Sequence, residues 1–372
     1  MSSLNGTPRN ALLSGLAHRR LMERLWLLCG CGAGLQAIAA LVCAITRDLI
    51  GADSGSIFWL DDFGAPAGFF HDCASAELKD FFVTHFDELF SAPGQFNMVT
   101  FTQMIGPPIG RMLEKGMREE FLASNVFKHL TAPLGHHHCF DIRIENEGRC
   151  AGLVVLWNRE GRPFTPRDIT AAQPVHALLG QALQAQKQDV AWRPQASRTS
   201  HFITDISGGH LLAIDAEAEA LLNRCQLLRQ NVPIASSPRE APVFSRGLAA
   251  MLAQGAPAEL MLPVADGRLV ARASLSRRIA RAGDDELQMF VSVDLEVSVN
   301  VLAIERLSAL PLTLMQKQIA LFGAQGGLRV DCAGRFGVSE EALKKHLRII
   351  YEVTGTANWG GLRDRFWTDL LH

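Results

Sequence analysis

The sequence lacks the features that mark secreted, fibrous and low-complexity proteins. Its eight cysteines have neither the paired spacing of a disulfide framework nor that of a zinc ribbon. It contains a single tyrosine, no internal repeat and no low-complexity tract. Because free cysteines persist where thiols stay reduced, we expect a globular protein of the cytoplasm. A length of 372 residues predicts two or three domains.

Motifs of catalysis are also missing. The chain has no phosphate-binding glycine loop, no GxSxG elbow, no HExxH and no pair of carboxylates whose placement demands acid–base chemistry. Gly30, Gly32 and Gly34 form a cluster in apolar sequence, but no clear strand precedes them, so they are a weak nucleotide fingerprint. We therefore expect a protein that is not an enzyme and that carries no bound cofactor.

Charge is nearly balanced over the whole chain, with a formal net of −2. From Glu305 onward nine Lys or Arg residues stand against seven Asp or Glu, so this end carries +2 and the remainder −4. The surplus permits an anionic partner at the C-terminal end, but it is too small to demonstrate one.

One apolar run, residues 25 to 45, is long enough to span a bilayer. Glycines interrupt it, and it continues without a cleavage site into a strand-like stretch. The pattern favours two buried helices with a break between them, and we expect no membrane partner.

Alternating strand and helix patterns follow, and they predict two α+β domains with antiparallel sheets and flanking helices. In residues 1–186 we predict strands at 54–60 and 68–71, helices at 75–89 and 111–126, a hairpin of 136–144 with 149–157, and a helix from Thr165-Pro166 to about 186. Residues 187–200 lose apolar periodicity and read as a linker. Residues 201–298 predict five antiparallel strands with helices on one face.

The last segment, residues 299–372, predicts an all-α unit. Thr313 caps a helix to residue 324, a short helix covers 330–336, and Gly337 makes a tight turn. Ser339 then caps a third helix with Glu340 and Glu341 in its first turn.

The third helix is amphipathic. Leu343, Leu347 and Ile350 form its predicted buried face. The side chains predicted to face solvent are Glu341, Lys344, Lys345, Arg348 and Glu352. A helix, a tight turn and a helix with a basic outer face are typical of major-groove recognition, although a basic stripe alone is also typical of a solvated helix.

Residues 326–355, GGLRVDCAGRFGVSEEALKKHLRIIYEVTG, resemble the DNA-binding domain of LuxR-type regulators. The resemblance covers about 60 residues and implies a four-helix bundle with the helix after Ser339 in the major groove. It implies DNA contacts by Ser339, Glu341, Lys344, Lys345, His346 and Arg348. The sequence departs from the family at Leu314, Met315, Gln316, Gln318 and Val353, which removes two potential ion pairs and a phosphate contact.

Two fainter resemblances precede it. Residues 1–186, with CAGLVVLWNREGRPFTPRDI, are similar to a GAF-type domain, and residues 201–298, with FITDISGGHLLAIDAEAEALL, are similar to a PAS-type domain. They imply binding of a small-molecule ligand or dimerisation. We predict a signal-responsive transcription regulator that binds double-stranded promoter DNA as a homodimer, because one short recognition helix reads too few bases. The alternative is a ligand-sensing adaptor whose degenerate C-terminal domain binds protein.

Two clusters suggest further chemistry. His136, His138 and Cys139 are candidate ligands for zinc, copper or haem, which would make the protein a metal- or haem-dependent sensor. Because side chains on a strand alternate faces, only His136 with His138, or His137 with Cys139, would point the same way, and no metal is predicted. Cys29 and Cys31 form a candidate redox pair, although CxC in apolar sequence more often packs in a core.

Overall fold

The computed structural model describes residues 14–60, 66–72, 85, 96–184, 190–195, 199–225, 241–278 and 286–368. Two antiparallel sheets with flanking helices are followed by a helical C-terminal region, which confirms the predicted fold class. Apart from residue 85, the helix predicted at 75–89 lies outside the described residues.

The helices, labelled in chain order, are α1 (Gly15–Cys29), α2 (Ala39–Ile50), α3 (Met98–Gln103), α4 (Lys115–Ala123), α5 (Pro166–Gln184), α6 (Ala216–Cys225), α7 (Phe244–Ala253), α8 (Val299–Ser308), α9 (Leu314–Ala324), α10 (Arg329–Phe336), α11 (Glu340–Thr354) and α12 (Trp359–Arg363). Single turns of 3-10 or π helix lie at Gln36–Ile38, Arg111–Leu113, Phe127–Thr131 and Asp364–Thr368. The strands are β1 (Ser54–Leu60), β2 (Pro66–His71), β3 (His138–Asn146), β4 (Arg149–Asn158), β5 (Trp192–Pro194), β6 (Ser200–Asp205), β7 (Leu211–Ile214), β8 (Glu259–Val264), β9 (Gly267–Arg278) and β10 (Glu286–Ser298).

The long apolar run folds as two helices, as predicted. The first helix, α1, ends at Gly30, and the break before α2 contains Gly32 and Gly34, both with positive φ. Glycine adopts this backbone region without steric cost, so the chain turns back here. None of the helices that the structure describes has the length and hydropathy needed to span a bilayer.

The first sheet has the order β2-β1-β4-β3 and is buried on both faces. One face packs on α1, α2 and α5 through side chains such as Ile57, Val154 and Leu156. Because side chains alternate along a strand, the intervening residues form the opposite face, which α3, α4 and the turn at Phe127–Thr131 cover. The predicted β3–β4 hairpin is confirmed, and its turn uses Glu147 and Gly148, both with positive φ.

The single helix predicted at 111–126 is wrong in detail. The segment forms the 3-10 turn Arg111–Leu113, an extended residue at Glu114 and then α4. Tertiary hydrogen bonds hold the first turn in place, since Met112 N donates to Asp141 Oδ1 at 2.8 Å and the buried guanidinium of Arg111 donates to Met104 O at 3.0 Å. The bond to Asp141 joins residues far apart in the chain, so helical periodicity within the segment does not predict it.

The second sheet has the order β7-β6-β10-β9-β8, and β5 pairs with the end of β10. The segment predicted as a linker therefore contributes a sixth strand, where five were expected. Trp192 explains its attachment, because the indole packs beneath the guanidinium of Arg268 at 4.6 Å from the ring centroid. The predicted cap of α6 is confirmed, since Asp215 Oδ1 accepts from Ala218 N at 2.6 Å.

Helix α8 continues directly from β10 and leads into the C-terminal helices, a connection that the sequence analysis did not predict. Its N-cap is Ser298, whose hydroxyl accepts from Val301 N at 3.4 Å. Val301 and Ile304 belong to the core that contains α1, so α8 packs against the first region. The other C-terminal helices share a separate core with Val299, Ala303 and Leu307 of α8.

Candidate functional site

The C-terminal helices begin with a complete capping box. Thr313 Oγ1 accepts from Gln316 N at 3.3 Å, and Gln316 Oε1 accepts from Thr313 N at 2.9 Å. Gln316 is one of the departures from the LuxR-type pattern, yet glutamine satisfies the cap as glutamate would. The start of α9 is therefore locally stabilised despite the substitution.

Helices α10 and α11 meet at a tight turn. Gly337 ends α10 with φ 63°, a left-handed conformation that favours glycine, and Ser339 begins α11 by accepting from Ala342 N at 3.2 Å. Gly355 ends α11 in the same left-handed region, with φ 68°. The predicted boundaries of this helix-turn-helix unit are confirmed, apart from Arg329, which the structure adds to the start of α10.

One face of α11 is buried as predicted, with Leu343, Leu347 and Ile350 at most 3% exposed. They pack in the C-terminal core with residues of the neighbouring helices. This packing fixes the rotation of α11 about its axis, so the opposite face must point outward.

The outward face of α11 carries three exposed cations, Lys344, Lys345 and Arg348. Lys345 lies 3.7 Å from Glu341, an exposed i,i+4 pair, whereas Lys344 and Arg348 form no ion pair with any residue in the described part of the chain. Exposed pairs of this kind are worth well under about 1 kcal/mol, so they do not hold Lys345 away from another anion.

The remaining predicted DNA contacts occupy other positions. Ser339 is exposed, but its hydroxyl is engaged in the helix cap, and His346 is half-buried. Sequence reasoning missed Arg329 and Arg335, which are exposed on α10. Their signal was present, since both are basic residues at the two ends of the short helix that precedes the turn.

A second feature is a cavity of about 90 Å³ on one face of the first sheet. Its walls are mostly aromatic and aliphatic side chains from the sheet and from the helical segments that cover it. The lining residues are Ser56, Phe58, Phe69, His71, Phe96, Asn97, Phe101, Met112, Phe121, Val126, Leu130, Thr131, Leu134, His136, Cys139, Asp141, Leu153, Val155 and Trp157. The strand register accounts for this set, because Ser56, Val155 and Asp141 are direct cross-strand neighbours.

His136 is the most constrained polar group at the cavity. Its ring stacks between those of His71 and Trp157, with centroid separations of 5.5 Å on both sides, and its Nε2 lies 3.2 Å from Ser54 Oγ. Burial, followed by the charge of nearby His71, lowers the pKa of His136 to about 4. The imidazole is therefore neutral at pH 7.

The prediction of which side chains in residues 136–139 point to the same side is wrong for His136. Strand β3 begins only at His138, so strand alternation does not extend to His136, which lines the cavity together with Cys139. Burial raises the pKa of the Cys139 thiol well above its usual value. Across the residues that the structure describes, no three His, Cys, Asp or Glu side chains come together as a metal-binding group.

The candidate redox pair lies in the core beside α1. Cys29 and Cys31 are buried free thiols, and burial raises their pKa values to about 12 and about 11. Because the thiolate is the reactive form, these values favour packing over redox chemistry.

No family model and no curated protein matches the chain. Among solved structures it is similar to a phage VqmA–DPO complex, with 18% identity over 46% of this chain and 83% of that chain, at a TM-score of 0.20. It is also similar to the DhaR(N)–DhaL complex of E. coli, with 12% identity, coverage of 77% and 92%, and a TM-score of 0.19. A sensor region of a sensor histidine kinase shares 11% identity with coverage of 73% and 90%, at a TM-score of 0.17. Similarities at these TM-scores support no statement about fold or function.

Proposed function

We propose that the protein is a sequence-specific transcription regulator that responds to a signal and inserts α11 into the major groove of promoter DNA. The observation that carries the proposal is the orientation of α11. Its apolar face is buried in the C-terminal core, while Lys344, Lys345 and Arg348 project into solvent from one side. These cations would contact phosphates and guanine edges, whereas Ser339 would act mainly by positioning the helix.

Helix α10 extends the proposed contact. Arg329 begins α10 and is exposed, and Arg335 is exposed while its guanidinium packs on Phe322 at 4.9 Å from the ring centroid. In helix-turn-helix proteins the first helix of the motif crosses the DNA backbone. Basic side chains on α10 would therefore contact phosphates beside the groove that α11 enters.

The response to a signal has a physical route through α1. Lys317 of α9 is 4% exposed and lies 3.5 Å from Glu23, and Arg24 forms an ion pair with Glu305 of α8. Asn300 joins the same junction, since its Nδ2 donates to Cys31 O at 2.8 Å. A change in the first region that moved α1 would alter the placement of α8 and α9, and with it the spacing of two recognition helices in a homodimer.

The test measures binding of the full chain to DNA from its own upstream region while the salt concentration rises. Removing two phosphate contacts should reduce the slope of log affinity against log salt by about 2, so K344A/K345A should weaken binding and flatten that slope. The control is K115A/R118A, which removes two exposed cations from the α4 region. Equal behaviour of the two double variants would contradict the proposal.

The adaptor alternative has an observation of its own. Three large apolar side chains of the helix-turn-helix unit are exposed, Leu328 at 64%, Val330 at 77% and Ile349 at 40%. Apolar side chains on an otherwise charged surface favour contact with protein. A folded chain with no DNA affinity at low salt would favour this alternative.

A further inference from the structure

The cavity in the first region contains buried polar atoms that the protein itself leaves unsatisfied. Thr131 Oγ1 and His136 Nδ1 find no hydrogen-bond partner among the described residues, although both side chains are more than nine-tenths buried. Thr131 and His136 are also neighbours, because His136 N donates to Thr131 O at 2.9 Å. Buried polar atoms without partners cost folding free energy, so a group that satisfied them would bind favourably.

The rest of the wall restricts the ligand by shape. Phe58, Phe69, Leu153 and Val155 form an apolar floor on the sheet, and Phe121 stands close to Trp157 with ring centroids 6.1 Å apart. Aromatic walls favour flat rings, which pack edge to face or in offset stacks. An engineered apolar cavity of roughly 150 Å³ holds one benzene molecule, so a cavity of about 90 Å³ leaves room for no ligand larger than a single small ring.

The charges at the cavity restrict the ligand further. Lysine and arginine are absent from its described lining, and Asp141 is its one carboxylate. Asp141 Oδ2 has no hydrogen-bond partner in the same part of the chain, while Oδ1 accepts from Met112 N. A carboxylate or phosphate ligand would be desolvated there with no lysine or arginine in the described lining to pair with it, and Asp141 would repel it.

We propose that this cavity binds a small uncharged aromatic molecule of one ring, with a single hydrogen-bonding group that pairs with Thr131 and His136. The inference deepens the proposed function, because it names the class of ligand that the first region would sense. Thr131 supplies a hydroxyl that can donate or accept, and the neutral imidazole of His136 presents Nδ1 as the second partner. Nucleotides and other phosphorylated ligands are excluded by the same arrangement.

The experiment compares three fluorinated probes of similar size by 19F NMR titration of the full chain: 4-fluorophenol, fluorobenzene and 4-fluorobenzoate. We expect 4-fluorophenol to bind roughly tenfold more tightly than fluorobenzene, which is the contribution of one hydrogen bond. 4-Fluorobenzoate should not bind. Equal affinity for all three probes, tightest binding of the benzoate, or no binding of either uncharged probe at millimolar concentration would overturn the proposal.

Variants locate the binding. T131V should reduce the preference for 4-fluorophenol, because one of its two hydrogen-bond partners is lost while His136 remains, and should leave fluorobenzene nearly unchanged, because a methyl group of similar size replaces the hydroxyl. T46V is the matched control, since Thr46 Oγ1 is also buried and finds no hydrogen-bond partner in the described part of the chain, but lies on α2, across the sheet from the cavity. V155F should abolish binding of both uncharged probes by filling the space, and L130F does the same should V155F fail to fold. A folded V155F or L130F that still binds the probes, or a T46V that matches T131V, would place the ligand elsewhere.

The assay contains no DNA, so it separates the two proposals. K344A/K345A should bind 4-fluorophenol as the unaltered protein does. If that variant and the unaltered protein bind the probe but neither binds DNA, the ligand proposal stands and the DNA proposal fails. If DNA binding is normal and the probes do not bind, the reverse holds.

Discussion

The first sheet region and the C-terminal helices differ in where they place polar groups that have no partner in the described chain. The C-terminal unit buries mainly apolar side chains from α9 to α12 and directs outward Lys344 and Arg348, which form no ion pair within the described part of the chain. The first region buries His136, Thr131 and Asp141 around a cavity and leaves an atom of each without a hydrogen bond in the described chain. An outward charged face suits a large anionic partner, whereas inward unsatisfied groups suit a small molecule that can be enclosed.

The largest expected effect tests the apolar interior of the C-terminal unit. L347A truncates a side chain on the buried face of α11, where Leu347 is only 3% exposed. We expect a loss of about 2 to 5 kcal/mol in unfolding free energy, measured by urea denaturation, and a loss of DNA binding. The control I349A should change stability by less than about 0.5 kcal/mol, because Ile349 is 40% exposed. Similar losses in both variants would mean that α11 is not anchored by this face.

The next prediction tests the buried imidazole of the first region. The folded-state pKa of His136, about 4, lies below the ordinary 6.5, so the folded state binds fewer protons between these values and stability falls as the pH falls through them. Between pH 7.5 and 4.5 the unaltered protein should lose about 2 to 3 kcal/mol relative to H136F.

Protonation of Asp141 changes the free energy of unfolding in the opposite direction, so the comparison must keep this residue in both proteins. Burial raises its pKa to about 6, so it favours the folded state as the pH falls through that range. The residue is present in both proteins and its contribution cancels in the difference. The other charged or titratable groups around His136 are His71, Asp72, Asp53 and Arg159. Parallel stability curves for the two proteins would show that His136 titrates normally.

A third prediction concerns the junction between the two regions. E23Q removes the charge that Lys317 faces at 3.5 Å, and Lys317 is 4% exposed. An uncompensated buried cation destabilises the fold, by on the order of 2 kcal/mol here, and should alter DNA affinity through α9. E119Q is the matched control, since it breaks an exposed pair with Lys115 at 4.0 Å and should have almost no effect. Equal unfolding free energies for both variants would show that the Glu23–Lys317 pair does not stabilise the fold.

The smallest expected effect separates capping from charge at the proposed interface. S339A removes the hydroxyl that accepts from Ala342 N and should cost about 1 kcal/mol of unfolding free energy. S339D keeps the cap and adds a negative charge, so it should retain stability but bind DNA more weakly. If S339D binds DNA as tightly as the unaltered protein, the start of α11 does not approach phosphate.

Local signals made the C-terminal unit predictable. Capping residues predict the helix boundaries, with Thr313 and Ser339 at helix starts and Gly337 and Gly355 at helix ends. The helical spacing of Leu343 and Leu347 predicts the buried face of α11. Strand β5 was missed because its pairing depends on β10, about a hundred residues away, and on the contact of Trp192 with Arg268. The separate turn at Arg111–Leu113 was missed for the same reason, because Asp141, which accepts a hydrogen bond from Met112 N in this turn, lies on the distant strand β3.

The amino-acid sequence by itself determined the helix boundaries and the outward basic face of α11, because caps, glycine turns and helical periodicity act within a few residues. The cavity was decided by the tertiary structure. Every residue of β1 is buried, so alternation along the strand does not distinguish the face that α1 and α2 cover from the face that lines the cavity. Only the packing of α3 and α4 over one side separates them, and that packing depends on contacts between segments distant in the chain.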